Sequence, residues 1–283
     1  MNAKKLQALF GLKWNPFTAD LPAEALFVSP QVQHFVARME YKIREGGFAL
    51  VTGAPGLGKS VSLRILADRF TALKDVRVVV VSHPQSGVSD FYREMGDLFG
   101  VPLTPRNRWG GFKALRERWL AHVEATLLRP VILIDEAQEL SDQVIIELKT
   151  MMSDCFDSRA LLTVVLCGDT KLRERLATPA LAAIDSRLRP RLVLDAAQPA
   201  ELATFLRHSL EQAGATRLMT QGLIETLCEH AAGNYRVLCA ICCELLAAAC
   251  DHELKQLDEK LFLELTATPP AHSRRAAARE SRR

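Results

Sequence analysis

The chain of 283 residues lacks any apolar run near the roughly 20 residues that a membrane-crossing helix needs. Its longest candidate, around Leu238 to Cys250, is broken by Glu244. The opening stretch "MNAKKLQALFGLKW" has only a short, interrupted apolar segment and no small-residue cleavage pattern, so no secretory signal is read there. Cysteine is scarce for a disulfide scaffold, with seven in the chain. Cys239, Cys242, Cys243 and Cys250 follow Cys228 and lie near His230 and His252, but without the paired spacing of a zinc site. At helical spacing inside "VLCAICCELLAAAC" they read as small core hydrophobes. Strong net charge is missing too: +3 overall, with five arginines against one glutamate in the tail "HSRRAAARESRR". No global field therefore argues for nucleic acid. A cytoplasmic protein with reduced thiols, not inserted in a membrane, is expected.

What is present is an alternation of strands and helices, followed by helices alone. "SPQVQHFVARMEYKI" begins with a Ser29 cap and Pro30 in the first helical position, and Val32, Phe35, Val36, Met39 and Ile43 form one apolar face. Buried strands are read at "FALVT", "VRVVVV" (76–81), "VILI" (131–134) and "LLTVVL" (161–166), with a short fifth beginning at Arg191. Helices are expected around 88–98, 111–128 and 141–152. Such alternation predicts a parallel α/β sheet covered by helices on both faces. From about Pro199, helical patterns at 199–213, 219–232, 235–252 and 257–266 follow without a strand. The expected organisation is an α/β nucleotide-binding domain (1–197), a helical lid domain (198–266) and a basic, disordered tail (267–283).

"VTGAPGLGKSVS" holds three glycines, a proline, a lysine and a serine between a strand and a helix. Gly53 to Ser60 fits G-x-x-x-x-G-K-S, a phosphate-binding loop in its required context. Backbone amides of Gly53, Ala54, Pro55, Gly56, Leu57, Gly58, Lys59, Ser60 and Val61 form the expected nucleotide-binding stretch, proline contributing no N–H. Lys59 would reach the terminal phosphates of ATP, and Ser60 would hold Mg2+. In "VILIDEAQ", Asp135 and Glu136 emerge at a strand's carboxyl end, where parallel sheets bind ligands. Asp135 is the second expected magnesium residue, and Glu136 the group that polarises the attacking water.

"LLTVVLCGDTKL" repeats this layout and places Asp169 and Thr170 at another strand end. In order, "FGLKWNPF", "FVSP", "GAPGLGKS", "IDEAQEL", "LCGDTKL", "SRLRPR" and "GNYRVL" resemble the ExeA-type AAA+ ATPases. They are also similar to the ATPase regulators of bacterial transposition, the TnsC, TniB and MuB group. The resemblance covers roughly residues 10 to 250. It implies a P-loop NTPase fold with a helical lid, ATP hydrolysis with Mg2+, and self-association into an ATP-dependent ring or filament. Phe17, Phe27 and Val28 would contact adenine, and Asp169 would occupy a sensor position. Arg236 would be the second sensor. One of Arg187, Arg189 and Arg191 would be the arginine finger, with Arg187 favoured. Relatives carry Asn or Gln where Asp169 stands; Thr170 sensing, slow turnover, or an arginine partner for Asp169 are the alternatives.

For function, the resemblance implies a DNA-associated switch that regulates transposition through double-stranded DNA and a transposase. Arg106, Arg108 and Lys113, in "TPRNRWGGFK", are candidate DNA contacts in an expected loop. The alternative it offers is an ATPase assisting assembly of an envelope secretion system. A small-molecule kinase would use the same loop but leave Arg236 and "SRLRPR" without a role.

Overall fold

The computed structural model describes residues 3–82, 84, 87–101, 108–125, 128–154 and 159–267. Its elements run α1 (Ala3–Phe10), α2 (Pro30–Glu45), β1 (Gly47–Gly53), α3 (Lys59–Thr71), β2 (Val76–Val81), α4 (Val88–Phe99) and α5 (Arg108–Ala125). Next come β3 (Arg129–Ile134), α6 (Asp142–Met152), β4 (Ser153–Asp154), β5 (Arg159–Ala160), β6 (Thr163–Gly168), α7 (Thr170–Leu176), α8 (Ala182–Asp185) and β7 (Leu188–Leu194). The rest is helical: α9 (Pro199–Gln212), α10 (Gln221–His230), α11 (Tyr235–Asp251) and α12 (Glu259–Ala267). The chain divides into two compact units, Val28–Asp195 and the combination of residues 1–27 with 196–283. The first 27 residues thus associate with the helical unit, where the sequence had grouped them with the α/β domain.

In the α/β unit five parallel strands stand in the order β2-β3-β6-β1-β7. Strand alternation sends Phe48 and Leu50 to one face and Ala49 and Val51 to the other. The first face packs with Phe91, Met95, Leu115, Trp119 and Ile145; the second with Phe35, Met39, Leu63, Leu66 and Phe70. Burial on both faces explains why the strands read as continuous apolar runs. Helix α2 begins as its sequence requires: the Ser29 hydroxyl accepts from the Val32 N–H at 3.4 Å, and Pro30 follows the cap. The register sets Val51 of β1 beside Cys167 of β6, and Leu166 of β6 beside Ile134 of β3. The three segments that leave these strands, at Ala54, Asp135 and Asp169, therefore emerge side by side at one end of the sheet.

In the other unit, Leu202, Leu206, Leu223, Leu227, Leu238, Leu245 and Leu246 form a continuous core. Cys242 and Cys250 are buried in it, and Cys239 and Cys243 pack against it, as small hydrophobes would. The leader is pinned by backbone as well as side chains. Lys13 N–H donates to the Ala213 carbonyl at 3.0 Å, and the Cys243 thiol donates to the Phe17 carbonyl at 3.6 Å. Asn234 caps α11, its side-chain oxygen accepting from the N–H groups of Arg236 (3.0 Å) and Val237 (3.2 Å).

Candidate functional site

The loop after β1 is shaped by three different constraints. A Cβ on Gly53 would come within 2.6 Å of the Leu194 carbonyl oxygen, so close approach to β7 demands glycine. Gly58 has open space around it, but its φ of 93° lies in the left-handed region. Leu57, by contrast, puts its side chain into the core beneath the loop and can meet a ligand only through its backbone. Ser60 and Val61 lie exposed on the first turn of α3, and the Ser62 hydroxyl donates back to the Gly58 carbonyl at 3.0 Å. The N-terminus of the 13-residue helix α3 thus opens directly onto the loop, its orphan N–H groups suited to an anion. Lys59 is only 8% exposed, and its ammonium donates to the Ala54 carbonyl at 3.1 Å, curled across the loop.

Across β6, the end of β3 presents the two carboxylates. Asp135 is held through its N–H, which donates to the Val81 carbonyl at 2.9 Å. Its Oδ1 accepts from the Glu136 N–H at 2.9 Å, and Glu136 takes a left-handed φ of 49°. That turn leaves the Glu136 side chain exposed. Between loop and carboxylates, at the end of β6, lies Cys167. Burial, and next the nearby Asp135 carboxylate, push this thiol far above its ordinary range, while Lys59 acts in the opposite sense. Cys167 therefore stays a protonated thiol near Asp135, Lys59 and Glu136.

Asp169 is the cap of α7, its Oδ1 accepting from the Leu172 N–H at 3.2 Å. The extra carboxylate has a local partner in this N–H, which the three readings open at the sequence level did not include. Its own N–H donates to the Gln138 side-chain oxygen at 3.2 Å, and the Gln138 amide nitrogen donates to Glu136 Oε2. Arg175 fixes the segment beneath: it donates to the Gln138 carbonyl at 2.8 Å and to the Leu140 carbonyl, and pairs with Asp142 at 2.9 Å. Gln138, Cys167 and Arg175 were not singled out in the sequence. The signal for Gln138 was its place two residues after Glu136; nothing local marked the other two.

Elsewhere the expected residues are distributed differently. Arg191 is committed to Asp185 at 2.9 Å and to the Leu188 carbonyl at 3.1 Å. Arg189 is exposed, with one contact to its neighbour's carbonyl at Leu188, and Arg187 is half-buried. Arg236 is exposed on the first turn of α11, in the helical unit. Phe17 is 4% exposed within the helical unit's core and has little ring surface to offer an adenine. Phe27 is half-buried, edge-on to Phe205 with centroids 5.8 Å apart, and Val28 is exposed. The loop expected around Arg108 and Lys113 is instead the first turns of α5, and the exposed Lys113 pairs with Glu117 at 3.7 Å. Arg106 and the arginine tail lie outside the described residues.

Among the described residues no cluster of three or more His, Cys, Asp or Glu could hold a metal alone. Magnesium takes one or two protein oxygens together with substrate phosphates rather than an all-protein cage. The Ser60 hydroxyl and Asp135 carboxylate are oxygen donors of that kind. No helix among the described residues is long and apolar enough to cross a membrane.

A parallel sheet with β6 between the glycine loop and the acidic strand end, and helices on both faces, is the P-loop NTPase fold of AAA+ proteins. A family model described as an AAA domain matches residues 42–176. General secretion pathway protein A of Aeromonas hydrophila is 28% identical over 245 residues; this covers 85% of the chain but 44% of that protein's length. Among solved structures, the Aeropyrum pernix ORC2 protein in its ADPNP–ADP complexes is similar with a TM-score of 0.69, at 13% identity over 92% of this chain and 73% of that one. The Aeropyrum pernix ORC1 protein in complex with DNA gives 0.67, at 14% identity over 89% and 68%. At those identities the two structures speak for the fold.

Proposed function

We propose that this chain binds ATP with Mg2+ and hydrolyses it, acting as an oligomeric AAA+ switch. One observation carries the reading: the glycine loop and α3 N-terminus share one sheet end with Asp135 and Glu136, separated by the single strand β6. In this reading the loop amides and Lys59 hold the phosphates, with Lys59 releasing the Ala54 carbonyl to do so. Ser60 and Asp135 hold the magnesium, which would supply charge neutralisation on the phosphates. Glu136 orients a water and accepts its proton as the water oxygen attacks the γ-phosphorus and the ADP oxygen leaves. Phe27 and Val28 contact adenine, Arg236 is the second sensor, and Asp169 orders the turn facing the γ-phosphate. Arg187 or Arg189 supplies the finger to a neighbouring copy, Arg191 being spent on Asp185. The test is ATP turnover by Glu136→Gln, which should bind ATP yet hydrolyse it at least about 100-fold more slowly. Normal turnover would remove Glu136 from its role.

For the partner, we propose double-stranded DNA and a transposase, the ordered motifs from "FGLKWNPF" to "GNYRVL" being the support; Lys113 and Arg108 on α5 are the candidate phosphate contacts. The AAA+ fold shared with the DNA-bound ORC1 protein is compatible with this. A second reading, assistance to assembly of an envelope secretion system, is favoured by the likeness to General secretion pathway protein A along 85% of the chain. ATP-stimulated DNA binding that weakens steeply with salt supports the first. Failure to bind DNA at low salt, with capture of a membrane-anchored secretion component, supports the second.

A further inference from the structure

We infer that Gln138 is a positioning residue for Glu136, clasping its carboxylate and tying it to the turn between β6 and α7. The inference rests on the reading of Glu136 as the group that activates water. A primary amide carries a donor and an acceptor on one rigid group, and Gln138 uses both: nitrogen to Glu136 Oε2, oxygen from the Asp169 N–H at 3.2 Å. Glu136 needs such a clasp. It is exposed, with a flexible side chain on a left-handed residue, and one carboxylate oxygen remains for water once Gln138 occupies the other.

The clasp is built to be held. Its backbone carbonyl is fixed by Arg175 at 2.8 Å, and the same guanidinium grips Leu140 and Asp142. The space for its amide is kept open by Gly168: a Cβ there would stand 2.6 Å from Gln138 Oε1 and 2.7 Å from Leu172 Cδ2. The orientation of Glu136 and the position of the Asp169 turn are then one variable. Whatever moves the turn also moves the carboxylate.

Steady-state ATP turnover, and binding of a fluorescent non-hydrolysable ATP analogue, are measured on the full chain. Gln138→Leu keeps the bulk and removes both hydrogen bonds. It should lower kcat about ten-fold, a part of the 10²–10⁴ that a positioned base contributes, with KM and analogue affinity changed less than about two-fold. Gln138→Glu keeps the acceptor for Asp169 but sets a carboxylate against Glu136, and should lower kcat further. In a Glu136→Gln background, Gln138→Leu should change neither residual turnover nor analogue affinity, because Gln138 acts through Glu136. Unchanged kcat in Gln138→Leu overturns the inference. So does loss of analogue affinity in step with kcat, or a further loss in the Glu136→Gln background, since each marks a merely structural role. If Glu136→Gln itself turns over normally, the reading of the site fails and the inference with it; if that variant is slow and Gln138→Leu is normal, the inference alone fails.

Discussion

The two units bury apolar side chains in the same way but differ in what their polar groups do. In the α/β unit one group of polar residues gathers at a sheet end and holds together: Asp135 with the Glu136 N–H, Gln138 with Glu136 and Asp169, Arg175 with Asp142. In the helical unit Asn234 caps a helix and Asn15, whose amide donates to the Cys243 sulfur at 3.8 Å, helps pin the leader, while the interior is apolar, mostly leucine with alanine, cysteine, Phe17, Met219, Ile224 and Phe262. Removing a core side chain should therefore cost both units alike, whereas removing one of the clustered polar side chains should cost the first its chemistry, and removing a cap or pin such as Asn234 or Asn15 should cost the second only order.

The largest effects test the shared half of that comparison. Trp119→Ala in the α/β core and Leu245→Ala in the helical core should each cost about 2–5 kcal/mol in urea denaturation, both side chains being fully buried. A cost below about 1 kcal/mol for one of them would mean that its core is not packed as described. Next comes the polar half. Lys59→Ala should weaken ATP binding about 100-fold in calorimetry, hydrogen bonds to charged groups being worth up to ~3 kcal/mol, with unfolding little changed; normal affinity would break the contrast.

Smaller effects sharpen it. Arg191→Ala removes the Asp185 ion pair and should lower stability by about 1 kcal/mol or less, whereas Arg187→Ala should spare nucleotide binding and slow turnover. An identical phenotype for the two would mean that the arginines are not divided between fold and finger. The smallest effect concerns thiols. Burial pushes Cys228 up to about 11 and Cys239 to about 12 from 9.0. The folded state keeps protons that the unfolded state releases, so their contribution is intact below pH 9 and lost as pH rises toward 12. The urea midpoint should fall between pH 8 and 10, and fall less in Cys239→Ala; equal sensitivity in that variant would contradict the assignment.

What could be read in advance was what lies close in sequence. The loop from Gly53 to Ser60 is contiguous, the carboxylates directly follow an apolar run, and the helices of the second unit announced themselves by periodicity to within a few residues. The clasp by Gln138 was not legible, because it depends on β6 lying beside β3 and joins residues 31 apart. Nor was the start of α5: Gly110 and Gly111 read as loop, yet burial of Leu115 and Trp119 carries the helix through them. The leader's allegiance was hidden for a third reason. A short apolar segment such as "LFGLKWNPF" can pack on either unit, and only the Ala213 and Cys243 contacts reveal which. Strands β4 and β5, two residues each, are too short to show a period.

The claim beneath all of this is that the glycine loop receives a triphosphate facing Asp135 and Glu136. A crystal of the chain grown with magnesium and a non-hydrolysable ATP analogue tests it most directly. Lys59 Nζ should leave the Ala54 carbonyl for a phosphate oxygen, with the metal between Ser60 and Asp135. Finding Lys59 still on Ala54, with the analogue seated elsewhere, would contradict the account.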